Sequence, residues 1–101
     1  MLFHKKLYFD ESLSKKKRKV LKNLKQGKLQ LGIFVITLPL NEEDALEIYP
    51  AYVLSQKVYR ESEITIVGVA SDRETADKLL LMMTDDCLKE NGNVNFREFF
   101  S

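Results

Sequence analysis

The chain has few of the residues from which disulfides, metal sites and nucleophilic triads are built. It contains one cysteine, one histidine and no tryptophan in 101 residues. A single cysteine excludes an intrachain disulfide and therefore the class of small secreted disulfide scaffolds. His4 lies near the N-terminus, where mobility is expected, and Cys87 falls on an apolar helical stripe, which favours a buried structural thiol. We therefore predict no catalytic residue, no metal ligands and no cofactor.

Long apolar runs are also missing. The longest, residues 29–40, is interrupted by Gln30 and Gly32, and it is shorter than the roughly 20 residues that a membrane-spanning helix needs. The first residues lack the apolar core and the small-residue cleavage site of a signal peptide. These absences lead us to expect a soluble cytoplasmic protein without a membrane partner.

The composition is that of a globular protein. Apolar residues make up 45% of the chain and charged residues 31%, which is unlike the composition of disordered chains. A length of 101 residues matches one domain by the usual size range. We predict a single α/β domain over residues 1–101.

Charge is divided unevenly along the chain. Residues 1–30 carry ten Lys or Arg and two acids, which gives +8, whereas residues 31–101 carry six Lys or Arg and thirteen acids, which gives −7. Such asymmetry indicates an anionic partner for the basic part. The alternative is that the basic part lies beside acidic elements of its own chain or of a second copy.

The basic part is predicted to be an amphipathic helix over residues 12–28. Asp10 and Ser12 are suitable N-caps, and Gly27 is a suitable C-terminal residue. The apolar stripe that would face the core consists of Leu13, Val20, Leu21 and Leu24, and the stem of Lys17 would cover the gap in it.

The cations of this helix are its candidate functional residues. A solvated helix face is one interpretation, and polyanion binding is another; for the latter the candidates are Lys15, Lys16, Arg18, Lys19, Lys22 and Lys25. Residues 15–20, KKKRKV, also resemble the short basic peptide that importins read. No aromatic residue is interleaved with these cations and only one is Arg, so any nucleic-acid binding is expected to be mostly non-specific.

Strand and helix patterns alternate after this segment. The apolar runs 29–38 and 63–70 predict strands, and residues 7–9 are either a third strand or the approach to the basic helix. Helices are predicted from Asn41 to Tyr49, briefly after Pro50, and from a Ser71 capping box to Gly92. The C-terminal segment is predicted to form either a helical turn capped by Asn95 or a strand. The expected fold is α/β, with a short, mainly parallel sheet of two to three strands flanked by about three helices.

A parallel sheet predicts any ligand site to lie at the carboxyl ends of its strands, where α/β sheets bind ligands. The residues predicted to rim such a crevice are Thr37, Asn41, Ser71 and Asp72. Neither turn is glycine-rich and neither matches a phosphate-binding fingerprint. A small enzyme that uses this crevice is therefore the weakest of the three functional hypotheses.

The leading hypothesis is a non-enzymatic interaction or regulatory module that acts through protein–protein contacts. Charge segregation, a small sheet with edges to cover, and aromatic clusters without catalytic groups favour it. A homodimer is the expected assembly. Polyanion binding, with nucleic acid as the candidate partner of the basic helix, is the alternative from a different functional class.

Overall fold

Four strands form one mixed sheet in the computed structural model, which describes residues 1–39, 45–57 and 63–101. The strands are β1 (Leu2–Phe9), β2 (Phe34–Thr37), β3 (Glu47–Pro50) and β4 (Thr65–Ala70), in the spatial order β1-β4-β2-β3. β1 runs parallel to β4, while β2 is antiparallel to both β4 and β3. Only one of the three strand pairs is therefore parallel.

This sheet confirms the α/β class and corrects its details. The prediction of two to three mainly parallel strands is wrong, because residues 47–50 form a strand where the pattern predicted the end of a helix. The strand pairs Tyr49 with Val35 and Ile48 with Ile36, and an extended residue before Pro50 fits the restriction that proline imposes. The predicted helix start at Asn41 lies outside the described residues.

Among the described residues, two longer α-helices and one short one accompany the strands. α1 (Lys17–Lys25) follows a 3-10 helix, Glu11–Lys16, so the predicted basic helix is α-helical only in its second part. A second 3-10 helix spans Ala51–Ser55, followed by α2 (Arg73–Asn91) and the single turn α3 (Phe96–Phe99).

The helix ends follow the predicted chemistry with one shift. The N-cap of α2 is Asp72, whose carboxylate accepts a hydrogen bond from the Thr75 amide at 2.7 Å, and not Ser71. Gly92 ends α2 in the left-handed conformation with φ at 74°, and the Asn95 side chain caps α3, as expected.

The two faces of the sheet bury separate cores. On one face, α2 and α3 cover strand residues such as Ile36 and Val67 with Met83, Cys87 and the three C-terminal phenylalanines, Phe96, Phe99 and Phe100. On the other face, α1 and the 3-10 helix Ala51–Ser55 cover Val35, Ile66 and Val69 with Val20, Leu24, Ala51 and Leu54. Helices on both faces explain why β2 and β4 are almost entirely apolar, with one threonine each, Thr37 and Thr65.

Gly68 lies where α2 packs closely on the sheet. A Cβ at this position would lie 2.8 Å from Met83 Cε and 3.2 Å from Ile36 Cβ. Gly68→Ala is expected to lower the free energy of unfolding by about 1–3 kcal/mol, because an added methyl group overpacks this contact. Urea denaturation measures the loss. In the double variant Gly68→Ala/Met83→Val, the loss in free energy of unfolding should be smaller than the sum of the losses in the two single variants. A loss equal to that sum would contradict the contact.

The edge strand β1 is irregular in its middle. Its register with β4 shifts between Phe3 and Tyr8, and the intervening bulge carries His4, Lys5 and Lys6. Bulges and lysines at an edge oppose pairing with a further strand.

His4 is not a mobile terminal residue, contrary to expectation. Its Nδ1 accepts a hydrogen bond from the Lys6 amide at 2.9 Å, and its Nε2 lies 2.6 Å from the Phe100 carbonyl oxygen. Nε2 therefore carries the proton and donates to that carbonyl. The single histidine joins the edge strand to the C-terminal residues.

Candidate functional site

The cationic segment is held in place at both ends and along its inner face. The Asp10 carboxylate accepts a hydrogen bond from the Ser12 amide at 2.9 Å and so starts the 3-10 helix. Val20 and Leu24 are buried at 5% and 2% exposure, and they anchor α1 on the sheet. Gly27, with φ at 69°, turns the chain after α1. The outer face of the segment is therefore presented in a defined orientation.

All the predicted polyanion-binding residues lie on that outer face. We call the exposed cations of this segment other than Lys17 the basic layer; they are Lys15, Lys16, Arg18, Lys19, Lys22, Lys25 and Lys28. None of them forms an ion pair in the part of the chain that the structure describes. Lys17 is also exposed, and its Nζ lies 5.3 Å from the centre of the Phe9 ring, which packs against the core; cover of the gap after Leu13 by its stem stays a prediction.

The described acids of α2 do not neutralise the basic layer. α1 and α2 pack on opposite faces of the sheet, and the cations of α2 pair within their own helix. These pairs are Arg73–Asp77 at 3.2 Å, Lys78–Glu74 at 3.7 Å and Lys89–Asp85 at 2.9 Å. The exposed cations of the basic layer therefore have no acidic partner among the residues that the structure describes.

Exposed apolar side chains lie beside the end of α1. Leu29 and Leu31 are 66% and 78% exposed in the loop that follows the helix. The loop is tied to α1 because the Gln30 side chain donates to the Val20 carbonyl at 3.3 Å. It is tied to the second 3-10 helix because the Ala51 amide donates to the Ile33 carbonyl at 2.7 Å.

Tyr52 completes this surface and was missed by sequence reasoning. The ring is 47% exposed, and neither the ring nor its hydroxyl has a partner among the described residues. Ala51 and Leu54 are the buried residues of this 3-10 helix, and Tyr49 before it also packs against the core. The spacing of Ala51 and Leu54, three apart as in one 3-10 turn, is the signal that places Tyr52 outside.

The predicted crevice residues are not brought together. Thr37 is 1% exposed at the carboxyl end of β2, whereas Ser71 and Asp72 follow the carboxyl end of β4. Because β2 and β4 are antiparallel neighbours, their carboxyl ends point in opposite directions along the strands, and Thr37 and Ser71 lie at opposite ends of the sheet. Asn41 lies outside the described residues.

A different acidic group occupies the carboxyl ends of the parallel strands β1 and β4. Asp10 is buried, and its carboxylate accepts hydrogen bonds from the amides of Ser12 and Ser71 at 2.9 and 2.8 Å. Burial alone would raise the pKa of Asp10, but hydrogen bonds from Ser71 and Ser12 outweigh it and lower the pKa to about 2. This carboxylate is engaged in the fold and is poorly suited to accept a substrate proton at neutral pH.

A surface hollow, about 580 Å³ in volume, lies between β1 and the C-terminal half of α2. Tyr8 donates its hydroxyl hydrogen to Asp86 at 2.5 Å, and Lys6 lies 3.1 Å from the Phe99 carbonyl oxygen and 3.7 Å from Glu90. Burial and the bond to Asp86 raise the pKa of the Tyr8 hydroxyl, which keeps it protonated. These polar groups satisfy one another and leave no evident base or nucleophile.

The remaining reactive group is enclosed. Cys87 is fully buried, as predicted, and burial raises the pKa of its thiol, which disfavours the nucleophilic thiolate. Among residues 1–39, 45–57 and 63–101, no three potential metal-binding side chains are grouped. The helices of the same residues include none with the length and apolarity to cross a membrane.

The surface with the clearest chemical character is therefore the basic layer with its apolar neighbours Leu29, Leu31 and Tyr52. Comparisons of the chain with protein-family models, with curated proteins and with solved structures found no match.

Proposed function

We propose that the protein is a small non-enzymatic interaction module that acts through protein–protein contacts. One observation carries the proposal: the basic layer has no ion-pair partner among the described residues, and the exposed side chains of Leu29, Leu31 and Tyr52 belong to the loop after α1 and to the 3-10 helix that contacts α1. Apolar and aromatic anchors supply most of the energy of protein interfaces, and peripheral charges steer association. A partner with an acidic rim around an apolar patch would complement this surface.

The states of the potential catalytic groups support binding over turnover. Asp10 is saturated by amide hydrogen bonds, Cys87 is buried, and the Tyr8 hydroxyl is held protonated by Asp86. A catalytic base or nucleophile needs an accessible group with a pKa suited to its task. These three groups lack that combination.

Site-specific photo-cross-linking tests the interaction surface. A photoreactive residue at Leu31 should capture a discrete acidic protein in its native host, and the same residue at Leu81 should not capture it. Leu81 is a matched control because it is 71% exposed but belongs to α2, on the other face of the sheet. Equal capture at both positions, or none at Leu31, would contradict the proposal.

Polyanion binding by the basic layer is the second candidate, and the unpaired lysines favour it. Lys is depleted at protein–protein interfaces and acts well as a point charge toward phosphates. The layer contains six Lys and one Arg, which suits charge neutralisation better than bidentate recognition. Nucleic acid is the polyanion that we propose for this candidate.

Neutralising part of the layer should change the salt dependence of binding. In Lys15→Gln/Lys16→Gln/Arg18→Gln/Lys19→Gln, loss of up to four phosphate contacts should flatten the slope of log K against log salt by up to about 3. The melting temperature should stay within a few degrees, because all four side chains are exposed. Gel shifts over a salt series measure the slope.

The matched control neutralises Arg73, Lys78 and Lys89, which are exposed but paired on α2. Its slope should equal that of the unaltered protein. If the slope of log K against log salt flattened equally in both variants, the position of the neutralised cations would not matter. That result would contradict the basic layer as the binding surface.

Self-association remains part of the proposal. The bulged, lysine-bearing edge of β1 disfavours a dimer that extends the sheet there, so we propose helix or apolar contacts for a homodimer in the cytoplasm. Light scattering gives the mass directly, and a monomer at micromolar concentration would contradict a stable dimer.

A further inference from the structure

Tyr52 is 47% exposed, and it is carried by a 3-10 helix that contacts α1, the helix that bears part of the basic layer. The 3-10 helix that carries it is fixed by Ala51 and Leu54, at 3% and 1% exposure, and it packs against α1. We propose that the basic layer and Tyr52 form a site for single-stranded nucleic acid, with phosphates on the cations and a base stacked on the tyrosine ring. This inference rests on the second candidate function, polyanion binding.

The cations are arranged as a row. Lys15, Arg18, Lys22 and Lys25 are separated by three or four residues, so they share one side of the helical segment. Side chains at this spacing are about 5–6 Å apart at Cβ. The buried residues Val20 and Leu24 hold the row against the sheet. A backbone with one charge per nucleotide can follow such a row without any sequence requirement.

The exposed ring determines which nucleic acid fits. Single-stranded sites combine a positive track with aromatic rings on which bases stack, and every base has a face that can stack. In a duplex the bases already stack on one another, so Tyr52 has no base to receive. The ring of Tyr52 has no partner among the described residues, and its stacking faces are available.

The chemistry of the layer favours a phosphate strand over the other anionic surfaces. An anionic lipid bilayer would attract the lysines, but the apolar stripe of α1 is buried against Val35 and Ile66 and is unavailable for insertion. Phosphates need only point charges, and this layer supplies six lysines.

Fluorescence anisotropy with labelled oligonucleotides of about 12 nucleotides tests the proposal. The probes are a single strand of DNA, the RNA of the same sequence, and the DNA duplex. The unaltered protein should bind the single strands more tightly than the duplex at low salt. Tyr52→Ala should weaken single-strand binding about tenfold, Tyr52→Phe should restore it, and duplex binding and the salt slope should stay unchanged.

The outcomes separate this inference from the function on which it rests. Equal affinity for single strand and duplex, with no effect of Tyr52→Ala, would overturn stacking and leave polyanion binding standing. No binding of any oligonucleotide at low salt would overturn both. Binding only to phosphatidylserine vesicles would likewise overturn the nucleic-acid site and assign the layer to membranes. Tyr52→Ala should melt within a few degrees of the unaltered protein, because the ring is exposed.

Discussion

Phe100→Ala is expected to lower the free energy of unfolding by about 3–5 kcal/mol, the cost of removing a large aromatic ring from a packed core. Phe100 is 4% exposed. Its ring packs edge-to-face against Phe99, His4 and Tyr8, with centroid distances of 4.9, 5.1 and 6.3 Å. Such pairs add stability beyond the area they bury. Urea denaturation followed by circular dichroism measures the change.

Val94→Ala is the matched control in the same C-terminal segment. Val94 is 48% exposed, so its truncation should cost less than about 0.5 kcal/mol. Phe100→Leu should fall between the two, since it keeps part of the apolar volume. A loss below about 1 kcal/mol for Phe100→Ala would mean that the C-terminal aromatic residues do not close this core.

Where the sequence has a regular apolar pattern, it predicted the helix or strand whose apolar residues are buried in the structure. The stripe predicted for α2 was Ala76, Leu79, Leu80, Met83 and Cys87; all are buried except Leu80, which is half-buried. The runs around β2 and β4 became strands. In these segments local propensity and burial favour the same conformation, which is why the pattern suffices.

Strand pairing was beyond the reach of those patterns. β3 is only four residues long, and acidic residues with Ala45 and Leu46 before it resemble a helix start. Its extended form is fixed by pairing with β2, a contact that local propensity does not encode. The orientation of β2, which is antiparallel to both of its neighbours, was not predicted for the same reason. The predicted crevice relied on parallel strands, and Thr37 and Ser71 are neighbours only if their strands are parallel, whereas β2 and β4 are antiparallel.

The basic layer was identifiable because charge is visible in the sequence, whereas its surroundings were not. Exposure of Lys15 and Lys19 follows from the stripe that buries Val20. The absence of described acidic partners depends on α1 and α2 taking opposite faces of the sheet, and the placement of Tyr52 depends on a 3-10 turn. Both are tertiary facts.

Asp10 connects the two charged regions, because its carboxylate starts the basic segment at Ser12 and also holds Ser71 ahead of α2. Asp10→Asn is expected to lower the free energy of unfolding at pH 7 by about 2–3 kcal/mol. An amide oxygen accepts more weakly than a carboxylate, and the Asn NH2 group would face a backbone donor. Chemical denaturation at fixed pH measures this loss.

The same substitution predicts how stability depends on pH. The pKa of Asp10 falls from an ordinary value of 3.8 to about 2 on folding. Its contribution is therefore fully present above pH 3.8 and is lost as the pH falls through 2. The shift corresponds to about 2 kcal/mol, since one pKa unit is about 1.4 kcal/mol. The stability difference between the unaltered protein and Asp10→Asn should shrink by that amount between pH 5 and pH 2.

A neighbouring carboxylate provides the control for this experiment. Glu11 is exposed on the first turn of the 3-10 helix, so Glu11→Gln should change stability by less than about 0.5 kcal/mol at pH 7. Protonated Asp10 resembles Asn in charge and shape, which is why the Asp10→Asn difference should nearly vanish in acid. A difference that stays constant from pH 5 to pH 2 would show that the carboxylate charge does not hold Ser12 and Ser71 together.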